Sequence, residues 1–425
     1  MTIVSNKNGE IQTILHCRMC DSQKLTDFLD LEHSPPSDRF LKEEELHTGE
    51  AHYPLKVLLC DECGFIQLRH VVSPVILYQI NYPYEANITK RGKEHFYKMA
   101  EEVCKKFNLP KSSFVIDIGS NVGVLLSGFK IQGMRVLGVD PAKNIAEIAN
   151  ANGIETIPEF FGCEVVPQIV KSKGKADIIT ATNVFAHIGN LNDFMKAIDM
   201  QLSERGVFVF EAPYFVDLFN HLEYDTIYHE HLGYLSIKPL VKFFNKHEME
   251  LFDVERVTIH GGSIRVFVGR KGVYQVSDNV NKLLTLEQET GIYNLESLRN
   301  FSKKVSQHRH DLISLLVDLK KQGKRIVGVS APAKGNTLLN YCKIGTQYLE
   351  YLTERSSLKV GTYSPGMHIP VVSDEVLLKD KPDYALLLAW NFAEEIMKNN
   401  QEYIKQGGKF IIPIPEPRIV DINNF

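Results

Sequence analysis

The stretch Tyr224-Asp225-Thr226-Ile227-Tyr228-His229-Glu230-His231, with Tyr234 just beyond, crowds hydrogen-bonding and titratable side chains together. A histidine near neutral pKa can take a proton from a carbon beside a carbonyl, and a tyrosine can donate to the developing enolate oxygen. A carboxylate next to the histidine can orient or tune it. The H-E-H run lacks the i, i+4 spacing of the helical zinc motif H-E-x-x-H, which speaks against a metal there. A polar turn of the same composition would do no chemistry, because titratable clusters mark sites only as a tendency.

Cysteine supplies a second chemistry. Four of the seven cysteines form two tight pairs, Cys17-x-x-Cys20 and Cys60-x-x-Cys63. A C-x-x-C turn offers two thiolates to one ion, and two such turns complete the tetrahedral shell that zinc prefers. With no position left open, the zinc would be structural. The long gap between the pairs demands an inserted hairpin or loop.

A third feature is Asp117-Ile118-Gly119-Ser120-Asn121-Val122-Gly123, between an apolar strand pattern and a helical one. Gly119 permits a tight turn and close backbone approach, and the following helix offers free amides. The dinucleotide spacing G-x-G-x-x-G is absent, which disfavours a nicotinamide-dependent dehydrogenase. An acidic residue instead precedes the glycine by two, and Asp140 ends the next strand. Carboxylates so placed can hold the amino group of a methionine moiety and two ribose hydroxyls, the pattern expected for S-adenosylmethionine. Such a turn also occurs for helix–strand packing alone. Phe160 could lie along an adenine, and Asn183 follows a strand at the edge where open α/β sheets bind ligands. His187, a few residues on, reads as a loop histidine.

Two further runs could close on a ligand. His260-Gly261-Gly262 places two glycines together. Ser330-Ala331-Pro332-Ala333-Lys334-Gly335-Asn336 opens a helix whose amides and Lys334 could accept a diphosphate, without the spacing of a P-loop.

The elements that must position these groups follow from periodicity. The 425 residues are too many for one ordinary core. Residues 1–84 read as a small β-rich module that needs a staple, and 85–282 as alternating strands and helices. Strands are expected at 114–118, 135–139, 176–180 and 206–210, giving a largely parallel sheet. Residues 283–322 read as a connecting helix pair, and 283–425 as a second α/β unit with strands at 325–329, 384–388 and 409–412. A net charge of −4 and the lack of a basic stripe give no pull toward nucleic acid. No apolar run reaches bilayer length and the first residues carry no export pattern, so a cytoplasmic protein without membrane partners is expected.

Taken together, these motifs resemble the sugar C-methyltransferases of deoxysugar biosynthesis over nearly the whole chain. The resemblance rests on both cysteine pairs, Ser37-Asp38-Arg39-Phe40, Tyr82-Pro83-Tyr84, the Gly119 turn and Tyr228-His229-Glu230-His231. It continues through His260-Gly261-Gly262, Lys334-Gly335-Asn336, Ser364-Pro365-Gly366-Met367-His368-Ile369-Pro370 and Ala389-Trp390-Asn391. It implies a zinc module, a Rossmann-like S-adenosylmethionine domain, and a C-terminal α/β domain that helps hold a nucleotide-linked keto-sugar. It also implies proton removal beside a C4 ketone and attack of the enolate on the donor methyl. His231 would be the base, Tyr228 and Glu230 would position it and stabilise the oxyanion, and Tyr84 would reach in from the N-terminal module. Asp117, Gly119, Asn121, Gly123, Asp140, Phe160 and Asn183 would line the cofactor, and Tyr82, His260, Lys334 and Asn336 the sugar nucleotide. The chain departs from the family at 85–89, where serines are usual, and at Val122. Methyl transfer to a hydroxyl or amine, and a non-catalytic zinc-stapled scaffold, are the competing readings.

Overall fold

The computed structural model describes residues 4–5, 10–78, 90–259 and 261–422. Its centre is a seven-stranded sheet ordered Met249–Val257, Ser263–Arg270, Leu202–Pro213, Ala176–Thr182, Phe114–Ile118, Arg135–Val139 and Thr156–Ile157. Phe114–Ile118 is buried along its whole length, as a strand covered on both faces must be. It pairs in parallel with Arg135–Val139 on one side and Ala176–Thr182 on the other. The chain order therefore reverses beside Phe114–Ile118, and the crevice beyond the carboxyl ends there is where such sheets bind ligands.

The four strands expected in this sheet are present, and the last begins earlier, at Leu202. Two antiparallel strands, Met249–Val257 and Ser263–Arg270, extend the sheet past it. They include the Gly261-Gly262 region, which is the turn of a hairpin. Gly261 and Gly262 have φ of +92° and +132°, and a Cβ on Gly261 would lie 2.6 Å from Glu223 Oε2. The glycines thus make room for protein carboxylates, Glu223 and Asp217. The two-glycine run serves this close approach, and it also lines a cavity with Asp217, Arg256 and Asn391.

The N-terminal sheet is ordered Gly233–Tyr234, Ile66–Leu68, Tyr53–Cys60, Leu25–Ser34. Its first strand comes from the chemistry-bearing segment of the central unit, pairing Gly233 with Gln67 and Tyr234 with Ile66. The C-terminal unit is a six-stranded sheet around Ile326–Val329, which pairs in parallel with Leu352–Glu354 and Tyr384–Leu387.

The expected helix pair is Asp278–Thr290 and Leu295–Lys321. Asn294 caps the longer helix by accepting from the Glu296 and Ser297 amides. Leu298, Phe301, Val305, Leu312, Leu316 and Leu319 recur at helical spacing and are buried. His308 on the same face donates from Nε2 to the Pro413 carbonyl at 2.7 Å and takes the Tyr224 hydroxyl on Nδ1 at 3.0 Å. Arg309 pairs with Glu32 at 2.7 Å, so one helix touches the N-terminal, central and C-terminal parts of the chain. Among the described residues, no helix is long and apolar enough to cross a membrane.

Glu287 on the shorter helix is fully buried. Its carboxylate accepts from the Ile237 and Lys238 amides and from the hydroxyls of Tyr214 (2.9 Å) and Tyr293. It caps the helix Ile237–Lys246, whose first turn has no other acid. Glu287→Ala should lower unfolding free energy by about 3 kcal/mol, because several buried donors lose their acceptor at once. Denaturant titration of the two proteins checks this; an unchanged midpoint would contradict it.

Candidate active site

The Gly119 turn lies at the carboxyl end of Phe114–Ile118. Gly119 has φ +63°, and a Cβ there would collide with Val184. Asn121 follows with φ +50° and donates its amide to Asp140 Oδ2 at 2.8 Å, while Asp140 Oδ1 takes the Ala142 amide at 2.9 Å. Gly123 has φ +80° and caps the start of the helix Val124–Ile131. Asp117 is buried and accepts from the Thr180 hydroxyl at 2.6 Å. Burial, with Asp140 nearby, pushes its carboxyl up to about 7. Burial raises Asp140 as well. The Ser120 hydroxyl beside them has no partner among the described residues. Two acids raised by burial around an orphaned hydroxyl form a setting that a bound cation with donor groups would satisfy. Asn183 turns the chain at φ +57° after Ala176–Thr182, and the Phe160 ring is exposed.

The Tyr–His cluster sits beyond the same sheet edge. His231 Nδ1 lies 2.7 Å from the Thr226 carbonyl. A carbonyl only accepts, so Nδ1 carries the proton and Nε2 is the lone-pair nitrogen. Tyr228 donates to that Nε2 at 2.8 Å, its ring tilted against the imidazole with centroids 4.0 Å apart. Burial drives the His231 imidazole down to about 4, partly opposed by the Thr226 carbonyl. His187 is drawn in as well. Its ring centroid lies 4.9 Å from that of His231, and its Nδ1 is 3.1 Å from the Tyr78 hydroxyl. Burial, then proximity to His231, holds His187 well below the ordinary histidine value. Glu230 is buried, and its charge raises the Tyr78 hydroxyl further above a value already lifted by burial.

This segment is anchored on every side. His229 Nε2 meets the Tyr53 carbonyl at 3.2 Å, and Trp390 Nε1 donates to Asp225 Oδ2 at 2.6 Å. Lys334 lies over the Trp390 ring at 4.1 Å, lowered by burial to about 8 with Asp225 and Glu223 as its opposing charges. Asn336 donates to the Ser37 carbonyl at 2.7 Å, which ties the N-terminal module to the C-terminal helix Ala333–Cys342.

Cys17, Cys20, Cys60 and Cys63 gather with all sulfurs within 4.8 Å of one another. Cys17 Sγ and Cys63 Sγ are 3.6 Å apart, and Cys20 Sγ and Cys60 Sγ 3.5 Å. A tetrahedron with Zn–S bonds of about 2.3 Å has sulfur–sulfur edges near 3.8 Å, so the four fit that ion. Contact with Cys60 pushes the Cys17 thiol up to about 12, and contact with Cys17 pulls Cys60 down. A divalent cation removes that competition by taking all four as thiolates.

Residues 17–78 match the profile of a zinc binding domain, 92–252 a methyltransferase domain and 258–415 a C-methyltransferase C-terminal domain. The chain is 35% identical over 411 residues to C-methyltransferase NovU of Streptomyces niveus, covering 96% of this chain and 98% of that one. It belongs to the C-methyltransferase family. A ubiquinone biosynthesis O-methyltransferase of Methylobacterium sp. (strain 4-46) is similar over the central unit alone, 25% identical across 35% of this chain and 55% of that one. A solved S-adenosylmethionine-dependent methyltransferase from Clostridium acetobutylicum ATCC 824 overlays 44% of this chain and 94% of its own at 16% identity, TM-score 0.34. The protein is thus a methyltransferase with S-adenosylmethionine as donor and zinc in its cysteine cluster.

Of the residues singled out in the sequence, the structure brings Tyr228, Glu230 and His231 together near the edge that carries Asp117, Gly119, Asn121, Asp140 and Asn183. Tyr82, Tyr84 and His260 lie outside the described residues. Two participants escaped the sequence reading. His187 was read as a loop histidine, and only the fold sets it against His231. Tyr78 precedes the tyrosine motif and carried no signal of its own.

Burial also makes the site pH-sensitive in a definite direction. His229 and His231 both bind a proton only near 4, for lack of solvation, whereas the unfolded chain does so near 6.5. Between those values protonation of these two rings favours the unfolded chain, so their contribution is full above about pH 6.5 and is lost as pH drops toward 4, while the raised Asp117 and Asp140 carboxyls act in the opposite sense. The contribution of His229 is read by difference: from pH 7.5 to pH 5 the melting temperature of His229→Gln should lose less than that of the parent protein. An equal or larger loss in the variant would contradict the burial effect.

Proposed function

We propose that the protein methylates a carbon atom beside the ketone of a nucleotide-linked 4-keto-sugar. The observation that carries this is His231, whose Nδ1 is committed to the Thr226 carbonyl, leaving Nε2 as a proton acceptor. Burial keeps the ring neutral at physiological pH. S-adenosylmethionine supplies an electrophilic methyl group and needs only a nucleophile placed in line with it.

In this reading His231 Nε2 takes the proton from the sugar carbon, and the C–H electron pair becomes the enolate double bond. The Tyr228 hydroxyl, which donates to Nε2 in the resting site, turns to the enolate oxygen as Nε2 fills. Glu230 orders this pair through its surroundings. The enolate carbon would then form its bond to the donor's methyl group as the sulfonium C–S bond breaks, leaving neutral S-adenosylhomocysteine, and the imidazolium proton would return to solvent. Asp140 would hold the ribose hydroxyls of the donor and Asp117 the methionine end. Gly119, Asn121, Gly123 and Asn183 would give the backbone approach, and Phe160 would face the adenine.

The proposed division is a zinc module at 1–84, a donor-binding unit at 85–282 and a sugar-nucleotide unit at 283–425. Lys334 would meet the diphosphate and Asn336 would shape its surroundings, with Tyr82, Tyr84 and His260 as further substrate residues. In support, Lys334 and the catalytic segment share Asp225 and Trp390.

The test is methyl transfer to a panel of nucleotide 4-keto-sugars and to their 4-hydroxy counterparts, read by mass spectrometry. Only the ketones should gain a methyl group; methylation of the 4-hydroxy sugars would overturn the reading. His231→Asn should lose about 10²–10⁴-fold in kcat, the range of a removed general base, while S-adenosylhomocysteine binds as before. Asp140→Ala should do the reverse first, weakening that binding in calorimetry.

A further inference from the structure

We infer that Arg18, between the zinc ligands Cys17 and Cys20, is a positioning residue for the two active-site histidines. Its side chain is buried and lies 5.4 Å from the Phe65 ring centroid. One terminal nitrogen donates to the Ile188 carbonyl at 2.8 Å and the other to the Leu232 carbonyl. Those carbonyls belong to the residues directly after His187 and His231, whose rings stand 4.9 Å apart. Nε donates to Gln67 Oε1 at 3.0 Å, which fixes the plane of the fork. Gly233 leaves the space: a Cβ there would come within 3.3 Å of the guanidinium and 2.6 Å of Phe65.

Energetics favours a purpose. Among the described residues no carboxylate forms an ion pair with Arg18, and the opposing charge beside its buried guanidinium is the Cys17 sulfur. Burying a cation costs desolvation even beside a thiolate, and an apolar side chain of similar volume would fill that space without that cost. What the guanidinium adds is a rigid fork with several donors in fixed directions, able to hold two carbonyls from different loops at one spacing. The Cys17 and Cys20 turn fixes its base. The Phe185–His187 turn and the Tyr228–Leu232 loop are far apart in sequence, so without this clamp their separation rests on softer contacts.

The inference rests on His231 acting as the base, and its test separates the two claims. Arg18→Met and Arg18→Lys are compared in the full zinc-loaded chain with Arg69→Met. Arg69 makes a similar contact inside the N-terminal module, to the Ile14 carbonyl at 3.0 Å. The readouts are zinc content, S-adenosylhomocysteine affinity, kcat and KM for the sugar, and imidazole ¹⁵N signals of His187 and His231. Arg18→Met should lower kcat about ten-fold or more, as small misplacements of reacting groups do. KM and donor affinity should change less than about three-fold, and both imidazole signals should move. Arg18→Lys should recover part of kcat, and Arg69→Met should behave as the parent. Unmoved imidazole signals with parental kcat would overturn the inference, as would a fall in kcat that tracks zinc loss in both Arg18 variants. If His231→Asn keeps full turnover, the base assignment fails, while the imidazole signals still decide whether Arg18 holds the loops.

Discussion

In the proposed reaction a histidine acts as base through one ring nitrogen while the other is committed elsewhere, and that commitment is the bond from His231 Nδ1 to the Thr226 carbonyl, 2.7 Å long. Everything around the site serves to keep that bond in place. Thr226 itself is held in a short turn, its amide and hydroxyl both directed to the Glu223 carbonyl. Tyr224 and Asp225 on the same turn are anchored to the long helix and to Trp390. The tautomer is thus set by a backbone atom that three structural units immobilise together.

That dependence accounts for the place of the proposed catalytic segment, where the units meet. Its downstream end, Gly233–Tyr234, is a strand of the N-terminal sheet, and His229 reaches the Tyr53 carbonyl of the same sheet. A small β-rich module has too little core to hold such a register unaided, and the cysteine cluster supplies the staple. The zinc thus acts at a distance from the chemistry, through geometry. Burial then does the electrical work, lowering His187 and His231 while raising Asp117 and Asp140. Desolvated groups of this kind respond strongly to charge that develops during reaction.

Much of this was legible in the residues. The C-x-x-C pairs announce a metal because thiolate spacing in a turn is a local property, and the strand at 114–118 shows itself because a buried parallel strand is apolar nearly throughout, with Asp117 the exception near its carboxyl end. The role proposed for His231 comes from the family resemblance. What escaped was everything decided by contact between distant segments. His187 carries no local sign of its neighbour His231. Gly261 and Gly262 invite a ligand on composition alone, and nothing local shows that Glu223 and Asp217 pack against them in the fold. Nothing local in Asn336 shows that its amide nitrogen also holds the Ser37 carbonyl of the N-terminal module. The strands Met249–Val257 and Ser263–Arg270 pair through long-range register that periodicity does not reveal.

The most direct measurement is hydrogen exchange at the sugar. A nucleotide 4-keto-sugar is held in D₂O with the protein and S-adenosylhomocysteine, which permits binding without methyl transfer, and the carbon-bound hydrogen is followed by proton NMR. The account predicts that deuterium enters at the carbon beside the ketone with the parent protein and fails to enter with His231→Asn. Methyl transfer that leaves this hydrogen in place, or exchange that persists undiminished without His231, would contradict it.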